Sequence, residues 1–303
     1  MKRLTLTDYM VTLFFIFLLV CIVGAFFFGI KIGEDRSAAK YEDLLLAQKT
    51  EAHELGAYHQ QYLVSFYHTV FLPYHEFQKK WFDTMSEIET QTHSQSGASL
   101  MKEVADMAES KHEQIKTAHL PETSPLLVEA QNHFLKSLKL FSSAMEETDL
   151  SGSGPGLLSS VNNSAYYNEA KKFGLKGIHS YYSAIRLWNE TVEPVPNKDL
   201  LEKETLTFDE WASMNLNLKN EYIAAWLEKT GHFKDFYVQD LVFRIDETIR
   251  SKQAEKMNLN EITRIAQTLV ETKAVRFGDF IKGKNKYYAS ESLPQVPFFF
   301  AQP

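Results

Sequence analysis

Ten histidines and a dense set of carboxylates are the residues of this chain best suited to metal or acid–base chemistry. His68 and His75 stand seven apart, with Glu76 adjacent. On a helix that is two turns, roughly 10 Å along the axis, too far for both imidazoles to ligate one ion unless the helix bends. Pro73 lies between them and can supply a bend. Val64, Phe71 and Phe82 share that face, so the plainer expectation is a pair of half-buried histidines between helices. His232 and Asp235 have the spacing of a helix-start pair, and His112 and His119 that of an exposed face. The carboxylates cluster as near neighbours, Glu87 with Glu89, Glu146 with Glu147, Asp246 with Glu247. Residues one or two apart point to different helix faces and do not form acid–base pairs. The chain has no nucleophile elbow, phosphate-binding glycine loop or His-Glu-x-x-His motif. Gly174-Leu-Lys-Gly177 reads as a close helix–helix approach. No catalytic residue, metal ligand or cofactor is expected; the chain reads as a non-enzymatic protein.

Three groups of residues point to binding. The first is an aromatic helix carrying Tyr166, Tyr167, Tyr181, Tyr182 and Trp188, which suits a bundle interior or an elongated pocket for an apolar or aromatic ligand. The second is a locally basic stretch, Lys273, Arg276, Lys282, Lys284 and Lys286, interleaved with Phe277, Phe280, Tyr287 and Tyr288. Cations near a helix C-terminus complement its dipole, and the same cations suit anionic lipid headgroups or an anionic envelope polymer. The third is the apolar tail from Leu293 through Phe298, Phe299 and Phe300, which either docks on its own bundle or meets a partner. Asn162-Asn-Ser164 and Asn189-Glu-Thr191 match the glycosylation acceptor pattern, which matters only in a eukaryotic secretory pathway.

The elements that must position these residues follow from hydropathy and punctuation. After an eight-residue leader, residues 9–30 hold no charge. As a helix they cover roughly the 30 Å hydrocarbon core of a bilayer. The apolar run continues through Phe26, Phe27, Phe28 and Ile30, past the small residues at 23–25, so an uncleaved anchor is expected over a cleaved signal peptide. Lys2 and Arg3 precede the span; Lys31, Arg36 and Lys40 follow it. That near balance, with the charged amino terminus, favours the N-terminus inside and the large C-terminal part outside the cytoplasm. The only cysteine, Cys21, lies in the span, so disulfides and thiolate zinc sites are excluded from the remainder.

Removing Lys2, Arg3 and Asp8 from the net charge of −7 leaves −8 on residues 31–303, a balance that argues against general nucleic-acid binding. Aromatics at 13% and charged residues at 23% describe a folded domain. Helical periodicity runs from 37 to 91 through Tyr62, Phe66, Val70, Phe77, Trp81 and Ile88, with a kink or break expected near Leu72, before Pro73. Further helices are expected at 98–117, at 125–147 opened by a Ser124 cap, and at 163–191. Residues 151–156 read as a flexible linker. Thr207 and Glu210 form a capping box that opens a helix to about 229, closed by Gly231. Helices at 234–256 and 260–281, with Gly283 ending the last, complete the set. No strand pattern occurs. The class is therefore all-α: a single N-terminal transmembrane helix, an elongated helical bundle over 31–192, a linker at 193–206, a smaller three-helix subdomain over 207–286 and an extended tail over 287–303. Such a chain reads as a single-pass envelope protein with a partner in or near the membrane, acting as an interaction or scaffold module. The alternative is an extracytoplasmic ligand-binding sensor that signals through a membrane partner.

Overall fold

The computed structural model describes residues 56–90, 97–148 and 154–300. The leader, the span at 9–30 and the helix start at 37–55 lie outside the described residues. Among the described residues there is no strand, and no helix is long and apolar enough to cross a membrane.

The first helical stretch comprises α1 (Gln60–Phe66), a π-helical turn (Tyr67–Phe71) and α2 (Leu72–Thr90). At the place where a kink or break is expected, near Leu72, the chain forms this widened turn. Proline at 73 has no N–H to give the carbonyl of Thr69, and its ring crowds that carbonyl. The chain responds by adding one residue to the turn: Leu72 N–H donates to Tyr67 O, a step of five, and the helix continues through Pro73. Polar side chains help to satisfy the carbonyls just before it. Tyr181 Oη donates to Leu63 O at 2.9 Å and Thr69 Oγ1 to Ser65 O at 2.9 Å.

Next come α3 (Gly97–Lys116) and α4 (Pro125–Glu147). Proline opens α4 as expected, but Ser124 does not cap it; its hydroxyl donates to Ala57 O. The described end of the expected linker, Gly154–Gly156, is the first turn of a further helix, α5 (Gly154–Asn163). Ser164 then caps α6 (Ala165–Val192), accepting from Tyr167 N. At 28 residues α6 is the longest element among the described residues, roughly 40 Å at 1.5 Å per residue. It packs along α4, which also carries α3, and on its other side it meets α8 (Leu216–Thr230). The glycine pair works as the sequence suggests. A Cβ on Gly177 would lie 2.6 Å from a ring carbon of Phe134, and one on Gly174 would collide with the Tyr74 hydroxyl. Only glycine lets α4 and α2 approach α6 this closely.

Beyond Val192 the chain leaves helix at Glu193–Asn197 and forms a 3-10 turn, Lys198–Glu202. The capping box at Thr207 and Glu210 is present, yet α7 (Phe208–Ala212) stops after five residues. Asn215 caps α8 afresh, and Gly231 closes it at φ 72°, a conformation glycine adopts without strain. The single helix expected at 234–256 is α9 (Val238–Arg250) plus α10 (Gln253–Lys256). The one expected at 260–281 is α11 (Ile262–Glu271) and α12 (Asp279–Tyr287). Gly283 does not end a helix. It sits inside α12, where a side chain would run into the Phe243 ring.

Residues 57–300 pack within one compact unit. The physical reason is α8, which is buried on nearly all sides, polar positions included: Asn217, Lys219, Asn220 and Glu221 are all inside. Its contacts with α6 and α9 join both helices in one core.

Candidate functional site

The five aromatic residues of α6 do not line a common pocket. Tyr166 faces outward at 38% exposure. Tyr167 packs on Trp81 at 5.0 Å and Phe141 at 5.8 Å between ring centroids. Tyr181 packs on Phe66 and Phe71, and Trp188 is buried further along the helix. These side chains run the length of the core and hold α6 in it. Tyr182 lines a cavity of about 20 Å³, room for one water-sized body and not for an aromatic ligand.

That cavity is nonetheless chemically unusual. His75 and Gln78 of α2 and Tyr237 line it. His75 is buried and its Nε2 has no hydrogen-bond partner. Its ring stands 4.3 Å from that of Tyr237. Burial lowers the His75 pKa to about 4, so the imidazole is neutral at physiological pH. His68 points away into solvent, so the histidine pair is split, and no group of three metal-capable side chains occurs among the described residues.

The tail is part of the core. Val296, Phe298 and Phe299 are buried, while Leu293 and Phe300 are half-buried. Phe298 lies within 5.5 Å of the rings of Tyr67, Phe71 and Tyr237. Gln239 Nε2 donates to Phe298 O at 3.2 Å and Lys284 Nζ to Phe299 O at 3.1 Å. Of the two expectations for the tail, Phe298 and Phe299 follow docking on the protein's own bundle: both fill its interior, where burying their rings is favourable.

The basic stretch is divided by the same packing. Lys284 is committed to Phe299 O and lies 3.8 Å from the centroid of the Phe300 ring. Lys273 and Arg276 are exposed on the turn between α11 and α12, and Lys282 is exposed on α12. Lys286 is the one brought into a concave site, a cleft of about 610 Å³ between the C-terminal ends of α9 and α12. Arg244, Glu247 and Arg250 line it from α9, Tyr287 faces them from α12, and Ser251 and Gln253 complete the rim.

Two contacts set this cleft. At the far end Asp240 of α9 accepts from Tyr237 N at 3.1 Å, capping its own helix, and from Phe280 N at 2.9 Å and Gly278 N at 3.3 Å, capping α12. Burial raises this carboxyl to about 7 against the lowering effect of those three donors. Midway, Phe243 lies over the bare backbone of Gly283 and faces the Tyr287 ring at 5.7 Å. With α12 held this way, Arg250 and Lys286 each lie 4.8 Å from the Tyr287 ring centroid. The Tyr287 phenol beside Lys286 raises that ammonium's pKa, which keeps it charged. Arg244 is matched by Glu247 and Asp279. Arg250 and Lys286 have no carboxylate within ion-pair distance among the described residues.

Arg250 and Arg244 line the cleft and are absent from the sequence reading. The signal was present in Arg244, Glu247 and Arg250, three apart and therefore near one side of a helix. Of the two glycosylation patterns, Asn189 is fully buried and bonded to Glu193 and Asn215, whereas Asn162 is exposed. No protein-family model, curated protein or solved structure matches the chain.

Proposed function

We propose that this chain is a non-enzymatic interaction module of the cell envelope, tethered by residues 9–30, that engages a partner bearing anionic groups at the cleft between α9 and α12. One observation carries this reading: Arg250 and Lys286 face the same 610 Å³ opening, and among the described residues neither has a carboxylate within ion-pair distance. In a chain of net charge −7 such a local excess of positive charge is a recognition feature more than a solubility feature. The tether raises the effective concentration of the cleft for anything in or on the same membrane. The test is in-cell cross-linking of the full-length protein followed by mass spectrometry, comparing the native chain with Arg250→Glu/Lys286→Glu. Loss of a reproducible partner in the charge-reversed chain supports the reading; an unchanged set of cross-links refutes it.

A second reading, an extracytoplasmic ligand-binding sensor, is favoured by the unpaired Nε2 of His75 in the small cavity beside Tyr182. It requires the 231–237 segment to move, since the cavity admits only a water-sized body as it stands. A thermal shift on adding small uncharged aromatics, abolished in His75→Leu, is its signature. The absence of any such shift leaves the first reading alone.

A further inference from the structure

We infer that the cleft between α9 and α12 binds a phosphate monoester, a dianionic tetrahedral oxyanion; this rests on the anionic-partner reading above and names its chemistry. The charge count decides the class. Arg250 and Lys286 are each 4.8 Å from the centre of one ring, so their charges are separated by no more than twice that distance. A carboxylate ligand compensates one of them. A phosphate monoester, with about 1.5 to 2 negative charges at neutral pH, compensates both. The planar fork of Arg250 matches two oxygens of such an anion, and the Lys286 ammonium takes a third as a point charge.

The rest of the lining agrees. Gln253 adds an amide donor, and the Ser251 hydroxyl, leaning on Thr248 O at 3.3 Å, can turn to the cleft. The only carboxylate in the lining, Glu247, is engaged by Arg244, which is held in turn by Ala274 O at 3.1 Å. A donor-rich wall whose one carboxylate is already engaged favours an anion. The Tyr287 ring restrains both cations by cation–π contact, so they are partly organised before a ligand arrives. A volume of about 610 Å³ exceeds what an inorganic phosphate fills, leaving space for an organic substituent. A phospholipid with a monoester headgroup and a soluble phosphate ester share this chemistry.

The experiment is calorimetric titration of the full-length protein in neutral detergent with inorganic phosphate, dioctanoyl phosphatidic acid and dioctanoyl phosphatidylcholine. Saturable binding of phosphate or phosphatidic acid, without binding of phosphatidylcholine, is expected. Arg250→Gln/Lys286→Gln weakens it about tenfold or more, as expected for charge-assisted hydrogen bonds, and Lys273→Gln/Arg276→Gln leaves it unchanged. Binding of phosphatidic acid alone identifies a lipid source, and binding of phosphate alone a soluble one. No saturable binding of either phosphomonoester, equal binding of phosphatidylcholine, or unchanged affinity in Arg250→Gln/Lys286→Gln overturns the inference. If partner cross-links still depend on the cleft charges while no phosphomonoester binds, the anionic-partner reading survives and this inference alone falls.

Discussion

Lys219 holds its Nζ 3.0 Å from each carboxylate oxygen of Asp246, and both side chains are buried in the centre of the protein. The pair joins α8 to α9 and gathers two more donors. Trp211 Nε1 reaches Asp246 Oδ1 at 2.6 Å, and Tyr288 Oη reaches Oδ2 at 2.5 Å. Asp246 therefore ties α7, α8, α9 and the segment after α12 to one carboxylate, with the charge matched by a single ammonium.

Removing one partner leaves the other as an uncompensated buried charge. Lys219→Met is expected to destabilise the 57–303 unit by about 3–5 kcal/mol, while Lys219→Met/Asp246→Leu costs less than the single change. Urea denaturation of the two variants and the native chain measures both. A single variant within 1 kcal/mol of native, roughly the level of a surface ion pair, would mean the pair is not buried as described.

His75 predicts a pH dependence of definite sign. Its pKa falls from 6.5 unfolded to about 4 folded, because burial disfavours the imidazolium; nearby Asp235 and Glu76 raise it and Lys79 lowers it. Between those values the unfolded chain binds the proton and the native chain does not, so stability drops as pH falls from 6.5 toward 4. The loss is on the order of 3 kcal/mol at 1.36 kcal/mol per unit. The difference in urea midpoint between native and His75→Leu, followed from pH 7 to 4, isolates this contribution. A difference that stays constant across the range contradicts a buried neutral imidazole.

Asp240 acts in the opposite direction over nearly the same window. Its pKa is raised from 3.8 to about 7, chiefly by burial. Here the native chain holds the proton that the unfolded chain has lost. The contribution is complete below about 3.8 and disappears as pH rises through about 7. The two residues thus offset one another in the native chain. Asp240→Asn should expose the His75 slope, with stability rising from pH 4 to 6.5, and His75→Leu should expose the Asp240 slope, with stability falling. Parallel profiles for the two variants would show that neither group titrates as described.

The pattern of what the sequence revealed follows from which signals are local. Helices with a clear start signal, the proline at Pro125 or the capping box at Thr207, were legible to within a residue or two at their starts. The breaks at 252 and 273 were not, because lysines rather than glycines adopt the left-handed conformation there, at φ 58° and 53°. Sequence rules look for glycine or asparagine at such positions. Conversely Gly283, which looks like a terminator, is demanded by the distant Phe243 ring. The burial of α8 was hidden for the same reason: Asn217, Lys219 and Asn220 read as surface until their surroundings are known. In the cleft, Lys286 was visible as part of a basic run, but its pairing with Arg250, thirty-six residues earlier, is purely tertiary.

Phe298 tests whether the tail is structure or interaction surface. Its ring is enclosed by those of Tyr67, Phe71, Tyr182 and Tyr237, and its carbonyl accepts from Gln239, which itself accepts from Tyr182 Oη at 2.5 Å. Phe298→Ala should therefore cost about 3–5 kcal/mol, the usual range for opening an aromatic cavity in a core. The loss should appear in the global unfolding transition, since Tyr67 and Phe71 belong to the π-helical turn and Tyr182 to α6. Hydrogen exchange gives the local view: amides of 67–72 and 238–242 should lose protection together in the variant. If only residues 293–300 lose protection and the global midpoint stays fixed, the tail is a detachable strap, and a partner can take its place on the bundle.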